Sequence, residues 1–295
     1  MKILKEKPEI VDILLSFIPT VAIFILNKLI NMTFALDSSL KTYLAFQISF
    51  IFAINYILLQ LLKPFIKKYD VYWRSNLIAN VMLVGLLISL QDTYYNVKSF
   101  GFYLLALSFF HLSEYLITLA SNYKSLNLKS FLINHSLEYN IAAMTSWIEF
   151  FIEVYFFPEM KSYPLMWVLG STLIVIGEIV RKLAMHTAGT NFNHLVQSKK
   201  STDHVLVKHG VYSIFRHPSY FGWFYWSIGT QILLANPLCI VAYTYTSWMF
   251  FNGRILSEEF YLIRFFGSEY IEYCKRVPIR IPFIHGYIEH DENLD

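Results

Sequence analysis

Apolar residues along this chain gather in long runs rather than in the narrow stripes of surface helices. A helix needs about 20 such residues to cross roughly 30 Å of hydrocarbon. Eight runs of that kind are centred on Ile10–Ile30, Tyr43–Leu62, Asn76–Leu90, Gly101–Ala120, Ile141–Phe157, Leu165–Met185, Tyr220–Ala235 and Leu238–Phe251. The pattern predicts an all-α polytopic integral membrane protein with about eight transmembrane helices. The third run is short unless Tyr72 and Trp73 sit at the interface, where aromatic side chains are favoured. The last two are separated only by Asn236-Pro237, a turn signal that predicts a tight helical hairpin. The first run is too long for a signal-peptide core and lacks a small-residue cleavage site, so it reads as a retained span. No internal repeat of the transporter kind is visible.

Charge adds orientation. Lys and Arg divide twenty to four between the two sides that eight spans define. Cytosolic loops carry the excess, so both termini are expected in the cytosol, which requires an even number of spans. Only 15% of residues are charged, against roughly 25% in globular proteins. The net charge of +3 is modest, and no nucleic-acid partner is expected. Cys239 and Cys274 fall in a span and in the tail and give no disulfide or metal spacing. Asn31-Met32-Thr33 is a glycosylation sequon so close to the end of the first span that it reads as a chance match.

Two polar stretches remain, Thr187–His217 and Asn252 onward. They divide the chain into N-terminal helices, residues 1–160, and a candidate catalytic region, residues 161–295. Nothing before Leu165 forms a dense polar constellation. Glu149 and Glu153 lie one turn apart in an apolar helix and read as interhelical packing or interface contacts. His111 and Glu114 share a helix face and read equally well as a buried polar contact. Pro218 suits the first position of a helix, where its missing N–H is not needed. The free amides of Ser219 and Tyr220, beside Arg216 and His217, would then form an anion site. The competing reading is an interfacial helix cap with a snorkelling arginine. Arg254 and Glu258 share a helix face, whereas Glu259 lies about 100° round and points elsewhere. On an exposed helix, Arg254 and Glu258 would be an ordinary i,i+4 pair. No G-x-G-x-x-G, P-loop, H-E-x-x-H, C-x-x-C or G-x-S-x-G motif occurs. The tail beyond Pro282 reads as disordered.

The block from His204 to Pro282 closely resembles the isoprenylcysteine carboxyl methyltransferase family. The resemblance rests on Gln197, His204 to Val207, Gly210-Val211-Tyr212 and Arg216-His217-Pro218-Ser219-Tyr220-Phe221-Gly222. It continues through Arg254, Glu258-Glu259, Phe266-Gly267, Tyr270, Tyr273, Val277 and Ile281-Pro282. The Arg-His-Pro-x-Tyr-x-Gly element alone is shared with phospholipid methyltransferases and membrane sterol reductases. Its combination with Arg254, Glu258-Glu259 and eight spans is more specific and looks like the animal form, an endoplasmic-reticulum enzyme. The first 160 residues match only in hydropathy and span count.

That resemblance implies a fold other than the Rossmann methyltransferases and a cofactor site in the cytosolic-facing C-terminal region. The cofactor would be S-adenosylmethionine, leaving as S-adenosylhomocysteine. Its expected contacts are Gln197, His204, Val205, Leu206, Val207, Tyr212, His217, Pro218, Ser219, Tyr220 and Glu258. Arg254 would contact the substrate, and Arg254 and Glu258 are the expected catalytic pair. The substrates would be prenylated CaaX proteins such as small GTPases, their farnesyl or geranylgeranyl chains arriving through membrane lipid. An α-carboxyl titrates near 3.5 and is already ionised at neutral pH, so no general base is needed. A phospholipid N-methyltransferase is the alternative, although a carboxylate-pairing Arg254 would serve a neutral amine less well.

Overall fold

The computed structural model describes residues 7–33, 50, 53–90, 95–133, 136–200 and 202–287. Its regular elements, among those residues, are all helical. They are α1 (Pro8–Thr33), α2 (residues 53–62), α3 (Tyr69–Ser89), α4 (Lys98–Ser121) and α5 (Leu137–Phe156). They continue with α6 (Pro164–Ala188), α7 (Pro218–Leu233), α8 (Pro237–Phe266) and α9 (Ser268–Arg276). Each expected span except the second coincides with one helix; the second lies partly outside the described residues. By length and composition, Pro8–Ile25, Tyr69–Ser89 and Tyr95–Ser121 are apolar enough to cross a membrane. The third expected span gains length because α3 starts at Tyr69 and takes in both Tyr72 and Trp73. The sequon backbone is helical, inside α1.

The chain forms two compact units. The first comprises Met1–Tyr94 and Phe100–Leu112. There α1 packs on α3, with Ile23 and Leu83 at the contact. Amides replace apolar packing at one level: Asn76 donates to the Ser16 carbonyl at 3.0 Å, and Asn55 donates to Asn80 at 2.7 Å. Asp12 accepts from the amides of Lys67 and Lys68 at 3.1 and 2.7 Å, capping α3 from a different helix.

The second unit comprises Tyr95–Ser99 and Ser113–Asp295. Its most extensive helix pair is α6 with α7. The two backbones touch along glycines: a Cβ on Gly177 would stand 2.5 Å from the Gly222 carbonyl oxygen. Small residues at such crossings are how helices pack where no hydrophobic force drives them together. Ile141, Met144, Ile148 and Tyr155 remain exposed along α5, as lipid-facing side chains would be.

The hairpin between α7 and α8 turns at Ala235, whose φ is +50°. Lys161 enters this turn with no exposed side-chain surface. Its ammonium lies 2.9 Å from the carbonyls of Leu234 and Ala235, 2.9 Å from Asn236 Oδ1 and 2.5 Å from Glu153. Glu149 accepts from the amides of Leu238 and Cys239 at 2.7 and 2.8 Å, at the positive end of α8. Glu149 therefore makes an interhelical contact, whereas Glu153 reaches the hairpin turn only through Lys161.

α8, a helix of 30 residues, is about 45 Å long, longer than the roughly 30 Å of a hydrocarbon core. Beyond it the chain returns as an extended strap. Ile279, Ile281 and Ile284 are buried against Phe224, Ile228, Phe251 and Ile255 of α7 and α8. The expectation of disorder after Pro282 therefore fails for Phe283–Tyr287. Burial of Ile284 and a 2.7 Å hydrogen bond from the Tyr287 amide to Glu259 hold that stretch. Residues 288–295 lie outside the described ones.

Candidate active site

The start of α7, the outer half of α8, the segment 191–217 and α9 enclose a recess. All the expected cofactor contacts except Gln197 line it: His204, Val205, Leu206, Val207, Tyr212, His217, Pro218, Ser219, Tyr220 and Glu258. Gln197 does not line this recess. It is exposed, and its side-chain amide donates to the Leu195 carbonyl at 2.9 Å. Ala188, Asn191, Phe192, Asn193, Arg216, Leu262, Phe266, Tyr270 and Tyr273 complete the walls. Apart from Arg216, these were not singled out as wall residues, because spacing along one strand of sequence cannot report which loop faces which helix.

Local contacts fix the irregular wall. The Val205 amide donates to Asn191 Oδ1 at 2.8 Å. The His204 ring packs edge-on against Phe265 and Phe266, centroids 5.8 and 5.4 Å apart. Burial, and then the Lys200 charge, lower the His204 pKa, with Glu258 opposing; the ring is neutral at pH 7. Tyr273 donates to the Tyr212 carbonyl at 2.6 Å. Burial and the Glu258 charge push the Tyr212 phenol well up, so it stays a protonated donor.

A second recess adjoins the first and shares Phe192, Asn193, Ser219 and Tyr220 with it. Arg254 lines the second recess and Glu258 the first. The Tyr220 hydroxyl stands between them, donating to Glu258 and accepting from Arg254 Nε at 2.9 Å. The two charged groups are thus bridged by a phenol, and the simple i,i+4 pair is not what forms. Arg254 Nη2 donates to the His194 carbonyl at 2.5 Å. Among the described residues, Arg254 Nη1 and Glu258 Oε1 make no hydrogen bond.

Arg216, His217 and Pro218, where an anion site is expected, all line the recess, but the two basic side chains already contact a buried carboxylate. Arg216 turns inward, 5% exposed, with Nε 2.7 Å from Glu259 and its other nitrogens on the carbonyls of Cys274 and His285, both at 3.0 Å. His217 Nε2 lies 3.0 Å from the same carboxylate. The Tyr220 amide is also spent, on the His217 carbonyl at 3.1 Å. Glu259 is therefore a buried hub: it also accepts from Tyr270 at 3.2 Å and from the Tyr287 amide. Burial alone would raise its carboxyl, but His217, Arg216 and the Tyr287 amide hold it below the usual value. Pro218 does open α7 as expected. The His217 ring, one of the lining groups, is stacked on Tyr220 with centroids 5.6 Å apart.

The region before Leu165 is also richer than its sequence suggests. Glu114, in α4 and with no exposed surface, pairs with Arg181 Nε at 2.6 Å, with Lys182 and with His194 at 3.0 Å. Arg181 Nη1 reaches Ser219 Oγ at 2.7 Å. A carboxylate inside an apolar run was the available signal.

These features define a class: a helical membrane protein whose last helices and the loops between them build a two-lobed polar site. A model of the isoprenylcysteine carboxyl methyltransferase (ICMT) family matches residues 169–264. The protein-S-isoprenylcysteine O-methyltransferase of Xenopus laevis is 53% identical over 237 residues, 80% of this chain and 81% of that protein. The human and Saccharomyces cerevisiae proteins of the same name are 51% and 45% identical, covering 80% and 69% of this chain and 82% and 87% of their own lengths. A solved structure of a eukaryotic intramembrane Ras methyltransferase of this family superposes with a TM-score of 0.86 at 45% identity. The match covers 95% of this chain and 99% of that one. The chain belongs to the isoprenylcysteine carboxyl methyltransferase family.

Proposed function

We propose that this chain methylates the C-terminal α-carboxylate of S-prenylated cysteine in CaaX-processed proteins, using S-adenosylmethionine. A carboxylate oxygen bonds to the methyl carbon as the carbon–sulfur bond breaks, giving a methyl ester. The supporting observation is the Arg254–Tyr220–Glu258 bridge, which sets one charged residue in each of two adjoining recesses.

The first recess fits the cofactor by its donor set: an unbonded Glu258 oxygen, an imidazole at a helix start, and aromatic walls. S-adenosylmethionine supplies, when bound, an electrophilic sulfonium methyl group. Glu258 would hold its hydroxyl or ammonium groups, His217 its carboxylate, and His204–Val207 its base. Tyr212 and Tyr220 offer ring faces that favour a cation. Arg254 would present Nη1 to the accepting carboxylate, its other nitrogens being held by Tyr220 and His194. The carboxylate is ionised without help, so the residues bind, orient and exclude water. Residues 161–295 carry this catalytic region, with the end of α4 in support. Eight spans with cytosolic termini, in the endoplasmic reticulum, would put both recesses on the cytosolic side, beside the lipid that carries the prenyl chain.

The test is incubation of purified protein with methyl-labelled S-adenosylmethionine, S-farnesylcysteine and phospholipid. Label in a base-labile ester is the expected result; label in a phospholipid headgroup would transfer the reading to N-methylation. Topology is checked in sealed microsomes, where a cysteine at Thr202 should react with an impermeant thiol reagent and one at Ser39 should not.

A further inference from the structure

Glu114 lines neither recess, yet it is tied to both walls. An ionised carboxylate in an apolar helix is costly unless positive charge answers it. Here the Arg181 guanidinium grips it with two nitrogens, Nε at 2.6 Å and Nη2 at 2.8 Å. Lys182 and the His194 ring, at 3.0 Å, complete the shell. Two of these partners go on to touch the site. Arg181 Nη1 donates to Ser219 Oγ at 2.7 Å, in the first turn of α7. His194 lies in an irregular stretch where no helix fixes the backbone, and its carbonyl accepts from Arg254 Nη2 at 2.5 Å. One residue thus has its ring held by Glu114 and its carbonyl holding Arg254.

We infer that Glu114 is a positioning residue for methyl transfer: it fixes His194, whose carbonyl sets the plane of the Arg254 guanidinium. The inference rests on the substrate role proposed above for Arg254. A guanidinium recognises a carboxylate by a planar fork, so its rotation matters as much as its charge. A buried ion pair is by itself weak evidence for stability. The chain supplies a comparison, because Lys161–Glu153 pairs a fully buried lysine with a mostly buried glutamate and lines neither recess.

The test is a kinetic comparison at saturating S-adenosylmethionine with S-farnesylcysteine as acceptor. His194→Ala removes a ring that is 18% exposed, so the fold should survive. Its kcat should fall at least tenfold while S-adenosylhomocysteine affinity stays within threefold of wild type. His194→Gln, which can still donate to the carboxylate, should recover most of that loss. Glu114→Gln should lose at least as much kcat per folded molecule, and adding His194→Ala to it should cost nothing further. Lys161→Met should lower the melting temperature with kcat unchanged. The inference is overturned if His194→Ala lowers kcat less than tenfold, or if its loss multiplies with that of Glu114→Gln. A wild-type protein that forms no ester at all would sink the proposed function instead.

Discussion

Replacing Arg254 by lysine keeps the charge and removes the geometry. The guanidinium makes two hydrogen bonds that a single ammonium cannot reproduce together: Nε to the Tyr220 hydroxyl at 2.9 Å and Nη2 to the His194 carbonyl at 2.5 Å. Arg254 lines the second recess, and these two bonds leave Nη1 without a hydrogen-bond partner among the described residues. Hydrogen bonds to charged groups contribute about 1.5–3 kcal/mol each. Losing orientation worth one such bond, about 2–3 kcal/mol in the transition state, slows turnover by about 30- to 150-fold. Cofactor affinity should barely change, because Glu258 and the first recess remain intact. Binding of S-adenosylhomocysteine is measured by calorimetric titration, and ester formation is measured at saturating cofactor. A near wild-type rate for Arg254→Lys would show that this arginine does not orient the accepting carboxylate. Equal losses in rate and cofactor affinity would show that it serves the cofactor rather than the acceptor.

Three further outcomes follow from the packing. Gly177→Ala would put a methyl group 2.5 Å from the Gly222 carbonyl oxygen. The crossing of α6 and α7 must open, at about 1–3 kcal/mol, so the melting temperature should fall; an unchanged melt would mean that the crossing is not tight. Lys161→Met leaves Glu153 and the carbonyls of Leu234 and Ala235 unanswered, a loss of about 3–5 kcal/mol for a broken buried pair, read by thermal unfolding. Glu259 gives a pH dependence: its folded pKa is lowered, so its stabilisation is complete above the unfolded value near 4.5. That stabilisation is lost as pH falls through the folded one. The melting-temperature gap between wild type and Glu259→Gln should therefore be full at pH 7 and shrink on acidification. A gap independent of pH would contradict the ionised hub.

What the sequence made legible is what short-range rules govern. Run length sets the helices. Asn236-Pro237 marks the hairpin, and Pro218 marks the start of α7. Helical phase puts Arg254 and Glu258 on one face and Glu259 on another. Phase cannot say that the other direction is buried, nor that Arg216, forty-three positions away in the chain, waits there as its partner. For the same reason phase cannot show that Arg216, at the recess, is held by the carbonyls of Cys274 in α9 and His285 in the strap. Glu114 is legible in the sequence as a charge inside an apolar run that shares a face with His111 and reads as a buried polar contact. Its partners Arg181, Lys182 and His194 arrive from a different helix and a loop.

Glu114 and Glu259 solve one physical problem twice. Part of the wall of both recesses comes from the largely irregular segment after α6, with Phe192 and Asn193 in both and His194 in the second, and such segments lack the internal bonds that make helices rigid. Carboxyl methylation asks little of its enzyme in proton transfer and much in alignment, so loose walls would be a direct loss of rate. A buried carboxylate can be answered only by bringing several donors to one point, and that demand fixes the donors' backbones. Glu259 brings Arg216, His217, Tyr270 and the Tyr287 amide together, tying the strap to the start of α7. Glu114 brings Arg181 and His194 together, tying the loop after α6 to the same helix start and to Arg254. Hydrophobic residues in these two places could bury as much area without specifying a single arrangement. On this argument the two glutamates are needed for alignment, and variants at either should lose turnover more steeply than they lose fold.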